Sequence, residues 1–174
     1  MDLGTKRPSL FYYIYKKSNM KSMYRITVSL CVLFLISCNG NVAYKEYDTT
    51  FVGNRWQKND VKTFNFELKE AGNFDLLVDF SHVYGTQFAE LPIKVVMINP
   101  DQSRKTADYV ILLRDNDGKE LGDCSGDYCD LREPVLKNLQ LPAGNYQVSV
   151  ANDFQYEFVP NVLGVGIRLV KSEN

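Results

Sequence analysis

The chain has 174 residues, and its formal net charge of −1 conceals two unlike segments. Residues 1–37 carry six Lys or Arg against one acid, leaving 14 basic and 20 acidic residues, a formal charge of −6, over residues 38–174. That acidic surplus argues against nucleic acid as a partner, since affinity for phosphates comes from Lys and Arg, and the remaining length suits one domain with its own core.

The first element in chain order reads as an export signal. Lys6, Arg7, Lys16, Lys17, Lys21 and Arg25 precede an apolar run from Ile26 to Ile36. As a helix that run reaches roughly 17 Å against a bilayer core of about 30 Å, too short to span and suited to a signal-peptide h-region. Leu35-Ile-Ser-Cys38 then forms a lipobox: a bulky aliphatic, a tolerant position, small Ser37 admitting the signal peptidase, and a cysteine. The Cys38 thiol accepts a diacylglycerol, and the amine freed by cleavage takes a third acyl chain such as palmitate. Two or three chains hold firmly, each buried CH2 contributing about 0.8 kcal/mol. An ordinary cleaved signal that leaves Cys38 free, or a retained anchor, are the alternatives. Residues 1–37 are thus expected to be a signal peptide, and the aromatics Phe11, Tyr12, Tyr13 and Tyr15 ahead of it point to a true start at Met20 or Met23. Residues 38–47 are expected to be the lipidated cysteine and a tether, and residues 48–174 the folded domain.

Period-two alternation dominates that domain, the mark of half-buried strands. Phe64, Phe66 and Leu68 alternate with polar neighbours, as do Phe74, Leu76, Val78 and Phe80, then Tyr146, Val148 and Val150, then Val165, Ile167 and Leu169. Leu91 to Ile98 and Tyr109 to Leu113 read as strands buried on both faces. Turn signals separate them at Ala71-Gly-Asn73, Asn99-Pro-Asp101, Asp115-Asn-Asp-Gly118 and Pro142-Ala-Gly-Asn145. With no sustained 3.6-residue period, the chain is predicted to be all-β, an antiparallel sandwich or jelly roll in a single domain.

Residues that carry chemistry are few. His82 is the only histidine, which excludes a multi-histidine zinc site and leaves a Ser-His-Asp arrangement one candidate base. It is expected to be a surface or hydrogen-bonded residue at a strand end. Asp115, Asp117, Asp123 and Asp127 crowd one polar segment and are weak candidates for a cation, but the spacing excludes an EF-hand and Asn116-Asp-Gly118 is also a tight-turn sequence. No metal or cofactor is predicted. Cys124 and Cys129 are candidates for a disulfide, with free thiols as the alternative and metal ligation disfavoured for want of further ligands. Among the many aromatics, Phe154, Tyr156 and Phe158 are the candidate contact surface, and a stacking platform for sugars is the competing use.

Taken in order, three blocks resemble the gliding-motility lipoprotein GldH family of the Bacteroidetes. His82-Val-Tyr-Gly-Thr-Gln-Phe-Ala-Glu-Leu91 is similar to its His-Thr-x-x-Tyr-Pro-Tyr-x-Asn-Leu run, with Thr86-Gln87 in place of Tyr-Pro. Leu113-Arg-Asp-Asn-Asp-Gly-Lys-Glu-Leu-Gly122 resembles its Leu-x-Asp-x-x-Gly-Lys-Trp-Leu-Gly stretch, with Glu120 in place of Trp. Gly144-Asn-Tyr146 and Val165-Gly-Ile-Arg168 match its ending. The resemblance implies a non-catalytic envelope lipoprotein, lipid-anchored and expected at the outer membrane on its periplasmic or surface face. It would support gliding motility and the associated protein secretion through contacts with other envelope proteins. The alternative is a carbohydrate- or ligand-binding sandwich.

Overall fold

A computed structural model describes residues 41–172. The signal segment, Met20, Met23 and Cys38 lie outside the described residues.

Eleven strands run through the described chain: β1 Val42–Asp48, β2 Trp56–Gln57, β3 Lys62–Leu68, β4 Gly72–Val83, β5 Glu90–Ile98, β6 Arg104–Leu112, β7 Asp123–Ser125, β8 Tyr128–Leu141, β9 Gly144–Asn152, β10 Phe158–Val159 and β11 Val162–Lys171. All their pairings are antiparallel. One sheet has the order β1-β11-β4-β8-β7, a second β3-β9-β5-β6, and β10 and β2 form a two-stranded ribbon. The all-β prediction holds, and the apolar faces of the two larger sheets share one core.

Alternation writes that core. In β3, Phe64, Phe66 and Leu68 are buried between exposed Thr63, Asn65 and Glu67. Tyr146, Val148 and Val150 of β9 lie in register with Phe66, Phe64 and Lys62, so the two strands deliver one continuous apolar face. Phe66 stacks between Tyr44 and Tyr146, at centroid distances of 4.5 and 5.3 Å. A cation sits at one end of this face. Lys62 is buried, and its Nζ lies 2.9 Å from Asp60, 3.2 Å from Asp48 and 4.2 Å from the centre of the Phe51 ring. Two carboxylates and a ring face replace the water an ammonium loses on burial.

The expected turns carry the connections. At Asn99–Asp101 the Asp101 carboxylate accepts the Ser103 N–H at 2.9 Å while Gln102 adopts φ +67°. In the next polar turn, the Asp115 carboxylate accepts the N–H groups of Asp117 at 3.0 Å and Lys119 at 2.9 Å, and Gly118 takes φ +80°.

Two expectations need correction. The tether expected over residues 38–47 is strand from Val42 onward, since β1 pairs with β11 from Val42↔Val170 to Asp48↔Val165. Its polar sequence disguised it, because an edge strand leaves most of its side chains in solvent. Nor are the runs Leu91 to Ile98 and Tyr109 to Leu113 buried on both faces, for the first alternates buried Leu91, Ile93, Val95 and Met97 with half-buried residues and exposed Lys94. The second ends the edge strand β6, where Val110 and Leu112 are 46% and 53% exposed while Tyr109, Ile111 and Leu113 face inward.

Candidate functional site

The most elaborate polar arrangement lies on the outer face of the five-stranded sheet. Sheet register sets Tyr47 of β1, Gly166 of β11, Asp79 of β4 and Arg132 of β8 in one row of direct cross-strand partners. Gly166 matters here, because a Cβ at this position would collide with both the Tyr47 ring and the Glu46 carbonyl oxygen, and one at Gly164 would collide with the ring. The ring therefore lies over the strand and helps to bury Asp79, which is 7% exposed. Each oxygen of Asp79 meets a guanidinium: Oδ1 accepts from Arg132 Nε at 2.8 Å, and Oδ2 accepts from Arg168 Nη2 at 2.9 Å. Ser81, two residues along the same face, donates to Asp130. Burial raises the Tyr47 pKa above its ordinary value, with the charges of Asp130 and Asp79 adding to the effect and Ser81 opposing it. Together with Lys45 and Asp123 these groups line a hollow of about 440 Å³. Both oxygens of Asp79 and the hydroxyl of Ser81 are engaged within the hollow.

The second hollow, of about 550 Å³, is apolar and lies between Gln87-Phe88 and the segment from Phe154 to Pro160. It contains the predicted contact residues, with a difference. Tyr156 is 64% exposed and Phe158 half-buried, but Phe154 is buried at 7%, packed 4.9 Å from Phe88 and 5.5 Å from Tyr156 between ring centres. Phe154 thus forms the floor of the hollow rather than part of its exposed rim. The ring pairs meet at 51° and 65°, which is not the coplanar row that stacks on a sugar. Arg55 covers the Phe158 ring at 4.7 Å, and Lys58 Nζ donates to the Phe154 carbonyl at 2.8 Å, so cations flank the aromatic floor.

The remaining candidates separate. Asp115, Asp117, Asp123 and Asp127 are exposed, and none belongs to a group of ligand-capable side chains close enough to share an ion among the described residues. Cys124 and Cys129 are cross-strand partners of β7 and β8 and are disulfide-bonded. His82 is not at the surface. It is wholly buried, with Nδ1 2.9 Å from the Val83 carbonyl, and the neighbouring Ser81 hydroxyl points to the opposite face of the sheet. Asp79, Arg132, Arg168 and Glu120 are site residues that no motif in the sequence marks as such. Only the β4–β8 and β4–β11 registers bring the first three together, and no local spacing signals it.

Residues 42–169, from β1 into β11, match the family model described as GldH lipoprotein. No curated protein matches the chain. Among solved structures, one titled "Structure of infectious bursal disease virus Gx strain" is similar over 75% of this chain at 8% identity and a TM-score of 0.29, a likeness too slight to carry an argument. This chain spans 31% of that structure's length.

Proposed function

The chain belongs to the GldH lipoprotein family, and on that premise we propose that it is a non-catalytic envelope lipoprotein supporting gliding motility, the associated secretion machinery, or both, through protein–protein contacts. The observation that carries this reading is the family match, which runs the length of the β-domain. The lipid on Cys38 holds the domain at the outer membrane. No helix among the described residues is long and apolar enough to cross a membrane.

The aromatic hollow supports a protein partner better than a glycan. Its floor is packed and its rings are tilted, while Tyr156 stands exposed at the edge, an arrangement that suits an aliphatic or aromatic side chain inserted from another protein. Crosslinking of the native lipoprotein in intact cells should recover envelope proteins, and Tyr156→Asp should reduce their recovery without unfolding the domain. Recovery of no envelope protein above background would count heavily against the proposal. Binding on a glycan array, abolished by Tyr156→Ala, would favour the carbohydrate-binding alternative instead.

A further inference from the structure

At the end of the sheet where β4, β8 and β7 meet, three chain-distant side chains converge. His82 and Cys129 are direct partners of β4 and β8, and Cys129 is in turn the partner of Cys124. The loop before β7 folds back so that Glu120 reaches the same place, held by the Gly85 N–H at 2.9 Å and by Arg114 Nε at 3.2 Å, both on Oε1. A ring nitrogen of His82, a carboxylate oxygen of Glu120 and the sulfur of Cys129 all lie within 4.8 Å of one another.

Two of these groups are incomplete. His82 Nε2 and Glu120 Oε2 are buried without a hydrogen-bond partner. The cost of an unpaired buried polar atom makes such orphans rare. The His82 tautomer follows from its other nitrogen. The Val83 carbonyl can only accept, so Nδ1 carries the proton and Nε2 presents its lone pair to the cluster. Histidines that ligate metals are commonly held in this way, with the non-ligating N–H bonded to a carbonyl that fixes ring and tautomer.

We propose that reduction of the Cys124–Cys129 disulfide opens a site for one Zn2+, bound by His82 Nε2, Glu120 Oε2 and the two cysteine thiolates. Imidazole, carboxylate and two thiolates make a four-ligand tetrahedral set for zinc. Bonds of about 2.0–2.3 Å place tetrahedral ligands roughly 3.3–3.8 Å apart, so His82, Glu120 and Cys129 need to close by about an ångström, while Cys124, outside that group, has to swing inward once its bond to Cys129 is broken. The disulfide denies the metal both sulfurs, and the oxidised protein keeps only two of the four ligands.

The electron pair comes from an external dithiol. One of its thiolates attacks Sγ of Cys124, since Cys124 is exposed and Cys129 wholly buried. The bond to Cys129 breaks, Cys129 leaves as thiolate, and Cys124 joins the reductant in a mixed disulfide. The reductant's second thiolate then attacks its own sulfur in that bond, frees Cys124, and leaves the reductant oxidised to its disulfide. The two protons of the dithiol pass to the two cysteines. Zn2+ binding subsequently releases both to solvent.

The test uses the full-length lipoprotein purified in detergent, oxidised or reduced anaerobically and freed of reductant, with Co2+ as the probe and Zn2+ as competitor. The reduced wild type should take one Co2+ with thiolate-to-cobalt charge-transfer absorption and the visible bands of a tetrahedral site, and one equivalent of Zn2+ should abolish both. The oxidised protein should show no charge-transfer band. Glu120→Gln and His82→Gln should each weaken binding by at least about 10-fold. Cys124→Ser should bind Co2+ through Cys129 without any reductant, which removes the gate. Near-UV circular dichroism verifies that each form is folded. The proposal is overturned if reduced, folded protein shows no thiolate–cobalt band, if reduction unfolds the domain, or if binding persists undiminished in both Glu120→Gln and His82→Gln.

Discussion

Asp79 gathers the charges of the sheet's outer face, and its two partners are unequal. The Arg132 side chain is 55% exposed and that of Arg168 13%. Water can replace Asp79 for Arg132 but barely for Arg168, so Asp79→Ala should cost about 2–3 kcal/mol in urea unfolding while Arg132→Ala costs under about 1 kcal/mol. Equal costs would show that the pairing geometry adds nothing. Tyr109 gives a pH handle. Its hydroxyl donates to Glu133 Oε2 at 2.7 Å, and this bond, then burial, then the Glu133 charge push its pKa up to about 12. A raised phenol pKa means that the fold favours the protonated form. The contribution is therefore fully present below the unfolded value of about 10 and is lost as pH rises through about 12. The stability difference between wild type and Tyr109→Phe, read from urea midpoints, should be constant up to about pH 9 and shrink across that window. A constant difference to pH 12 would contradict the assignment.

At the scale of elements, β11 and β6 show two ways in which sequence pattern and structure relate. Val165, Ile167 and Leu169 face the core as the alternation predicts, but Gly164 and Gly166 on the opposite face make sense only beside Tyr47. Gly164→Ala should destabilise by about 1–3 kcal/mol through overpacking against the Tyr47 ring, and most of the loss should return in the double variant with Tyr47→Ala. Simple additivity would rule out the ring as the cause. In β6, Ile111→Ala should cost about 2–4 kcal/mol and Leu112→Lys less than about 0.5 kcal/mol, although both positions read as apolar. Strands and turns were legible because period-two alternation and turn residues are local signals. Partner strands were not. Val110 and Leu112 look like core residues until β6 is known to be an edge, and Val42–Asp48 looks like a linker until it is known to be one. The candidate site suffered the same blindness. Phe154, Tyr156 and Phe158 stand together in the sequence as one aromatic segment, but which of them forms the floor depends on Phe88, 66 residues from Phe154 in the chain.

On the proposed function, the molecule as a whole divides its labour between a lipid anchor and a sandwich. The anchor would be Cys38, at the end of the lipobox Leu35 to Cys38, and the fixed charges, aromatic hollow and edge strands of the domain would be its contact surface. A role in assembly requires both parts. The most direct test is to delete the gene and score gliding and protein secretion together, complementing with wild type or with Cys38→Ala. Deletion should impair at least one of the two, wild type should restore it, and Cys38→Ala should fail although the protein is made. Full motility and secretion in the deletion strain, or full rescue by Cys38→Ala, would contradict the proposed function.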